Sequence, residues 1–202
     1  MSSPIAHVLG AMTAYRTLSP LTPGDAPQGR KALFLVGVLA LVPDLDIAWG
    51  WIQGSGTIFH RGFTHSVLFA LILAVLGNII WYKSPEAFRK VGPMQVLLVA
   101  CLVHPLLDYL MACGAGVPLL APFEWHGFLA DNQYVPTAFY AERFSDIPYV
   151  LTNQKALLGS AAEVWIFLPF FLASKPGRSW MFRLPMLLLG ASGLVAMYFI
   201  YN

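Results

Sequence analysis

Long apolar stretches alternate with short polar or turn-forming segments along the chain. A transmembrane α-helix needs about 20 mostly apolar residues, and several of the stretches approach or reach that length. They comprise a shorter segment at 4–18 and longer ones at 32–52, 64–82, 94–113, 157–174 and 184–201. The pattern therefore predicts an all-α protein: a polytopic membrane helical bundle of about five to six helices, in a single integral-membrane domain covering residues 1–202.

Three connections between these segments differ in character. Residues 19–30 are rich in proline and glycine, residues 84–93 are short and basic, and residues 114–156 form one long, unusually aromatic connection. Long loops in compact proteins are often lids or binding loops, whereas aromatic side chains also rest at membrane–water interfaces. Both roles are compatible with this loop.

The composition supports a membrane protein and says little for other classes. Hydrophobic residues make up 57% of the chain and charged residues only 11%, against about 25% charged residues in soluble domains. The net charge is +2 and no run of Lys and Arg forms a binding stripe, so nothing indicates a nucleic-acid partner. The partner that the composition implies is membrane lipid.

Lys and Arg are distributed unevenly between the two ends of the predicted helices. Nine of the twelve lie on one side, and Arg61, Arg143 and Lys155 lie on the other. The positive-inside rule places the nine in the cytoplasm. The long aromatic loop and the C-terminus then face outward.

Four polar clusters interrupt segments that are otherwise apolar enough for a membrane. They are Pro43-Asp44-Leu45-Asp46, His60-Arg61-Gly62-Phe63-Thr64-His65-Ser66, His104-Pro105-Leu106-Leu107-Asp108, and Glu163. Carboxylates and imidazoles are costly beside hydrocarbon and usually mark a function. In the predicted orientation all four clusters lie near the outer surface, and His7 joins them if helix 4–18 runs antiparallel to helix 32–52.

The chemistry of these clusters is that of a metal site. His104 and Asp108 are one helical turn apart, so one helix face presents two ligands. Imidazole and carboxylate suit Zn²⁺, and also Mn²⁺ or Fe²⁺. The alternative is a hydrogen-bonded His–Asp pair that ties two helices together.

Asp44 and Asp46 follow Pro43, where a helix can break and turn its carboxylates into a polar cavity. Two close carboxylates repel each other unless a cation lies between or beside them. The alternative is that one of them caps a helix by accepting backbone N–H groups.

The remaining polar residues have several open roles. His60 and His65 are candidate ligands, and Arg61 beside them can hold a phosphate or carboxylate group through its planar fork, or else face lipid headgroups. Thr64 and Ser66 are expected to cap the following helix. Glu163 is a candidate ligand, orienting partner or general base, or else a protonated group in an interhelical hydrogen bond.

The order of these motifs resembles that of the YdjM-like family, small bacterial inner-membrane proteins described as metal-dependent hydrolases, some of them controlled by the SOS repressor LexA. The resemblance covers about residues 4–125, and its most specific stretch is His60–Ser66. The family is thought to be distantly similar to zinc-dependent phospholipase C. That similarity implies zinc ligands at His104 and Asp108 with His60 or His65, a bridging Asp44 or Asp46, and His7 at a second ion.

Residues and resemblance together predict a membrane-embedded metal-dependent hydrolase with one to three divalent ions, near the periplasmic face of the inner membrane. The expected substrate is a phospholipid or lipid-linked phosphoester, attacked by a metal-activated water. Arg61 would hold the anionic group, and Asp46 and Glu163 are candidate general bases. Two alternatives are a non-catalytic metal-binding protein with a scaffold or stress role, and a metal or proton carrier, which would need carboxylates at several depths.

Overall fold

The computed structural model describes residues 3–21, 29–56, 60–82, 91–112, 114–136 and 141–201. Eight α-helices form within these ranges: α1 (Pro4–Leu18), α2 (Arg30–Leu41), α3 (Leu45–Ile52), α4 (Val67–Tyr82), α5 (Val91–Leu110), α6 (Ile147–Thr152), α7 (Gln154–Ala173) and α8 (Trp180–Tyr201). The only β-type pairing recorded in them is an isolated bridge between Val117 and Phe128. The predicted all-α class is confirmed.

Three helices are long and apolar enough to cross a membrane in the part of the chain that the structure describes: Pro93–Leu110, Gln154–Ala173 and Trp180–Ile200. The α2–α3 pair, bent by 43°, counts as a fourth span if it is taken as one. α4 has 16 residues, which is short of the roughly 20 that span a bilayer. The protein is thus a polytopic membrane bundle in which some helices cross and others are packed or partial.

The predicted segment 32–52 is broken where the first carboxylates lie. α2 ends at Leu41 and α3 begins at Leu45, because Pro43 has no N–H to continue the helical ladder. The Val42 N–H instead bonds the Leu39 carbonyl at 3.3 Å, which tightens the last turn of α2. The break lets Asp44 turn away from the helix axis.

The interior of the bundle is built mainly where α1, α2, α4 and α5 meet. Small and branched side chains allow these helices to approach closely, among them Ala11, Val36, Ala74, Leu97 and Ala100. A second, smaller apolar group includes Ala6, Leu107 and Met111. Since Ala6 precedes His7 and Leu107 precedes Asp108, this second group borders the polar cluster.

The first part of the long loop folds back against the bundle. The Ala130 and Tyr134 N–H groups bond the Tyr109 and Leu110 carbonyls at 3.3 and 2.9 Å, and the Val67 N–H bonds the Leu119 carbonyl at 3.0 Å. The loop therefore covers the end of α5 and the start of α4, as a lid or binding loop would.

The aromatic side chains of this loop remain largely outside the packed interior. Phe123 and Trp125 are 87% and 61% exposed, as an interfacial belt requires. Phe139 and Tyr140 belong to the same predicted belt but lie outside the described residues. Residues 147–152, taken from the sequence as part of a loop, form the short helix α6.

Candidate metal centre

Six of the predicted ligands converge at one end of the bundle. His7 lies on α1, Asp44 at the α2–α3 break, His60 and His65 in the connection to α4, and His104 and Asp108 on α5. Their ligand atoms fall into three overlapping groups, each within 4.8 Å: His7, Asp44 and His104; Asp44, His60 and His65; His65, His104 and Asp108. Because the groups share members, they form a single cluster.

The separations at the centre of this cluster fit a shared cation. His65 Nε2 lies 3.6 Å from Asp44 Oδ1 and 3.4 Å from Asp108 Oδ2. His104 Nε2 lies 3.5 and 3.9 Å from the same two atoms. Two ligands bound at about 2 Å in a tetrahedral site are roughly 3.3 Å apart. The residues present therefore fit a divalent metal of the zinc type.

Several atoms that face this space lack a hydrogen-bond partner although they are buried. They include both carboxylate oxygens of Asp44, Nε2 of His65 and Nε2 of His104. A buried polar atom left unsatisfied costs about 1–3 kcal/mol. The Asp44 side chain also makes no capping bond at the start of α3, so the capping alternative does not describe it. A cation is the partner that satisfies oxygens and imidazole lone pairs together.

His104 is oriented by the backbone of α2. Its Nδ1 lies 2.8 Å from the Ala40 carbonyl oxygen, which can only accept, so Nδ1 carries the proton. The last carbonyls of a helix have no partner within it, and α2 ends one residue later. The unprotonated Nε2 of a neutral His104 then faces the cluster, as metal-binding imidazoles usually do. Sequence reasoning missed this contact, because any residue offers a carbonyl.

His65 is oriented by a chain that passes through Thr64. The Thr64 hydroxyl donates to Asp46 Oδ2 at 2.9 Å and lies 3.0 Å from His65 Nδ1. Since its one proton goes to Asp46, the hydroxyl accepts from Nδ1, and Nε2 faces Asp44 and Asp108. Thr64 is therefore not the helix cap that was expected, whereas Ser66 is: its hydroxyl accepts from the Phe69 N–H at 3.1 Å.

The carboxylates next to His65 favour a positive charge at this position. Burial lowers the pKa of this imidazole, but the adjacent Asp108 and Asp44 carboxylates outweigh burial and raise it to about 9. His65 lies before α4, which begins at Val67. In the absence of a metal, the positive charge beside these carboxylates is that of the protonated His65 imidazole.

Asp46 is surrounded by donors rather than by other ligand atoms. Its carboxylate accepts from the Arg61 N–H at 3.2 Å and from Thr64, and it lies 3.2 Å from His60 Nδ1. It belongs to none of the three ligand groups. Its predicted role as a ligand stays a prediction, and its observed contacts are those of a group that orients His60 and His65.

His7 lies where the antiparallel arrangement of the first helices was expected to place it. Its Nε2 is 4.0 Å from Asp44 Oδ2 and 3.7 Å from Asp108 Oδ1. Its ring stacks on that of His104 with centroids 3.7 Å apart. The first helix thus contributes to the cluster although it has only 15 residues.

Arg61 lies beside the ligands in an unusual backbone conformation. Its φ is 63°, a left-handed value that costs a non-glycine residue about 1–3 kcal/mol. Its side chain is 6% exposed and its Nε lies 3.7 Å from Asp108 Oδ2. This strained backbone places a buried guanidinium group at the edge of the cluster.

Glu163 belongs to a separate contact. Its carboxylate accepts from the Ser3 N–H at 2.8 Å and also from the Ser3 hydroxyl. Both residues are buried, and Ser3 is the N-cap of α1. Glu163 is absent from the three ligand groups; it ties α7 to the start of the helix that carries His7. Ser3 gave no signal in the sequence, being 160 residues away and of a common type.

Comparison with known proteins agrees with this architecture. The model of the YdjM inner membrane protein family matches residues 1–200. Inner membrane protein YbcI of Escherichia coli is 30% identical over 141 residues, which cover 67% of this chain and 78% of YbcI. Inner membrane protein YdjM of Escherichia coli is 35% identical over 95 residues, 42% of this chain and 46% of YdjM.

The same 35% identity over 95 residues is found with inner membrane protein YdjM of Shigella flexneri. No solved structure matches the chain, so the similarity to zinc-dependent phospholipase C stays a prediction. With a family match over almost its whole length and several apolar helices of membrane-spanning length, the chain belongs to the YdjM family of inner membrane proteins.

Proposed function

We propose that this protein is a membrane-embedded metal-dependent hydrolase that acts on a phospholipid or lipid-linked phosphoester. The observation that carries the proposal is the convergence of buried, unsatisfied ligand atoms from Asp44, His65 and His104. The opposite ring nitrogens of His65 and His104 are held by Thr64 and Ala40. A hydrogen-bonded pair that only tied two helices together would not leave so many acceptors facing one space.

In such a site, different residues would bind the metal and the substrate. Asp44, His65, His104 and Asp108 would hold the first ion, and His7 and His60 extend the ligand set on either side. A bound divalent cation lowers the pKa of water toward neutrality and polarises a phosphoryl oxygen. Arg61, whose Nε lies 3.7 Å from Asp108 Oδ2, would place its guanidinium charge beside an anionic oxygen of the substrate.

A lipid substrate is favoured by the exposed aromatic side chains of α3 and of the loop that covers the end of α5. Trp49 on α3 is 55% exposed, and Phe123 and Trp125 in the loop over α5 are more exposed still. Exposed aromatic side chains of this kind lie at headgroup depth in membranes. A phosphoester in a lipid headgroup would be presented to the cluster at that depth.

Metal binding is tested first, on protein purified in detergent. We expect His104→Ala and Asp108→Ala each to lower the metal content, measured by elemental mass spectrometry, by at least about tenfold after dialysis, because each removes a ligand. His126→Ala is the matched control, since His126 is an exposed histidine outside the cluster. Unchanged metal content in both ligand variants would overturn the proposal.

Turnover is tested separately, with phospholipids and lipid-linked phosphates in mixed micelles and mass spectrometry of the products. Hydrolysis that is lost in His104→Ala and kept in His126→Ala supports the enzyme. If the protein retains metal but hydrolyses no class of lipid headgroup, the hydrolase proposal is contradicted, and the non-catalytic scaffold or stress role remains.

A further inference from the structure

A cavity lies at the other end of α1, away from the candidate metal centre. It is a cleft of about 530 Å³ between α1, α7 and α8, and its lining includes Thr13, Arg16, Phe170, Ser174, Arg183 and Leu187. Arg16 is nine residues after His7, or roughly 13 Å along the helix at 1.5 Å per residue. An adjoining cavity of about 330 Å³ shares Arg16 and adds Arg30 and Lys175.

The mouth of this cleft is positively charged and lacks carboxylates in the described part of the chain. Arg16, Arg30, Lys175 and Arg183 line the two cavities. Among the residues that the structure describes, the ion pairs all lie in the candidate metal centre and involve none of these four. Arg16 and Arg183 line the cleft itself, while Arg30 and Lys175 line the adjoining cavity. Cations gathered in this way create a local potential that attracts an anion.

Two of the guanidinium groups are already held in position. Arg16 lies over the Phe171 ring, 4.1 Å from its centroid, and donates to the Phe171 carbonyl at 3.4 Å. Arg183 donates to the Lys175 carbonyl at 3.4 Å, which joins α8 to the turn after α7. Because these contacts use only part of each donor fork, N–H groups remain for an incoming oxygen, and little side-chain entropy is lost on binding.

The walls below the mouth are apolar. Phe170, Ala173 and Leu187 line the cleft, while the Ser174 hydroxyl near the mouth bonds the Phe171 carbonyl. A soluble anion would use only the charged rim, whereas a molecule with a phosphate and a hydrocarbon chain would use both rim and wall. The cleft therefore has the amphipathic form of a lipid site.

We propose that this cleft binds the headgroup phosphate of an anionic phospholipid, with Arg16 and Arg183 on the phosphate and the start of an acyl chain along Phe170 and Leu187. By the positive-inside rule this lipid comes from the cytoplasmic leaflet. The site is independent of the metal centre and of the proposed hydrolase activity.

The test is native mass spectrometry of the purified protein mixed with phosphatidylglycerol or phosphatidylcholine. Wild-type protein is expected to retain phosphatidylglycerol preferentially. Arg16→Gln and Arg183→Gln are each expected to weaken that retention by about tenfold, the factor for one lost charge-assisted hydrogen bond. Lys155→Gln, which removes an exposed cation at the opposite end of α7, leaves it unchanged. Arg16→Lys, which keeps the charge, restores part of the retention and shows that loss in Arg16→Gln is not misfolding.

Equal retention of the two lipids, or glutamine variants that retain phosphatidylglycerol as the wild type does, would overturn the proposal. So would complete displacement of the lipid by millimolar inorganic phosphate, because the site would then be one for a soluble anion.

Discussion

Protein acceptors determine which nitrogen of His104 and His65 faces the cavity. The Ala40 carbonyl accepts a hydrogen bond from His104 Nδ1–H, and the Thr64 hydroxyl accepts one from His65 Nδ1–H. Acceptors of this kind fix the tautomer and raise the basicity of a ligand. The metal affinity proposed for this site would therefore depend on residues that do not themselves touch the ion.

Thr64→Val tests this dependence, because valine keeps the shape of threonine and removes the hydroxyl. We expect metal affinity, measured by competition with a graded series of chelators, to fall by about 10- to 100-fold, as for other orienting partners of metal ligands. Thr64→Ser keeps the hydroxyl and is expected to stay close to the wild type. Equal affinities of the valine and serine variants would show that the hydroxyl does not orient His65.

The sequence revealed the ligands of the site better than the residues that orient them. The spacing of His104 and Asp108 on one helix face marks them as candidate ligands. The position of Asp44 directly after Pro43 does the same. The Ala40 carbonyl and the Thr64 hydroxyl gave no such signal, because carbonyls and hydroxyls are common. The packing of α2 against α5 brings Ala40 to His104, and the approach of the connection before α4 to α3 brings Thr64 to Asp46.

Each helix that carries a ligand must be fixed along its axis as well as packed sideways. α1, with 15 residues, is the shorter of the two helices that carry candidate ligands of the cluster. Its first turn is tied to α7 through the bonds from Ser3 to Glu163. Glu163 thereby anchors the start of the helix that carries His7, a structural role for a buried carboxylate on a helix that supplies no member of the three ligand groups.

Two substitutions at Glu163 separate this role from a catalytic one. Glu163→Ala is expected to lower the free energy of unfolding by roughly 1–3 kcal/mol, because buried donors of Ser3 lose their acceptor. Glu163→Gln keeps an acceptor and should retain both stability and any hydrolytic turnover. Thermal unfolding and the turnover assay measure the two effects. Lost turnover in a fully stable Glu163→Gln protein would restore the general-base hypothesis.

The long helices were predicted well because a run of apolar residues has few alternatives in a membrane protein. Their ends were predicted less well. In the predicted segment 64–82 the helix begins only at Val67, since Phe63–His65 form a 3-10 turn in which His65 is buried. Such boundaries depend on contacts between residues that are distant in the sequence, such as the hydrogen bond from the Val67 N–H to the Leu119 carbonyl. A local sequence pattern does not predict such contacts.

Considered as a whole, the molecule is polarised from end to end. The metal centre and the loop over α5 occupy one end, and the cationic cleft with Arg16 and Arg183 occupies the other. This separation agrees with the charge asymmetry of the sequence, in which nine of twelve Lys and Arg residues fall on one side. The orientation that places the metal centre toward the periplasm rests on that asymmetry.

Cysteine labelling in intact cells tests the orientation. In a background with Cys101 and Cys113 replaced by alanine, Trp125→Cys is expected to react with a membrane-impermeant maleimide. Arg178→Cys, in the exposed turn between α7 and α8, should react only after lysis, because the positive-inside rule places this turn in the cytoplasm. The reverse pattern of labelling would place the metal centre on the cytoplasmic side.

The wide spacing of the ligands along the chain has a consequence for biosynthesis. His7 enters the membrane with the first helix, but its partner Asp108 is synthesised about a hundred residues later. Until α5 is synthesised, the cluster contains His7 and Asp44 but lacks His104 and Asp108. Because a cation that bound only to the finished arrangement would stabilise it by mass action, the proposed metal site predicts that metal supplied during synthesis raises the yield of folded protein.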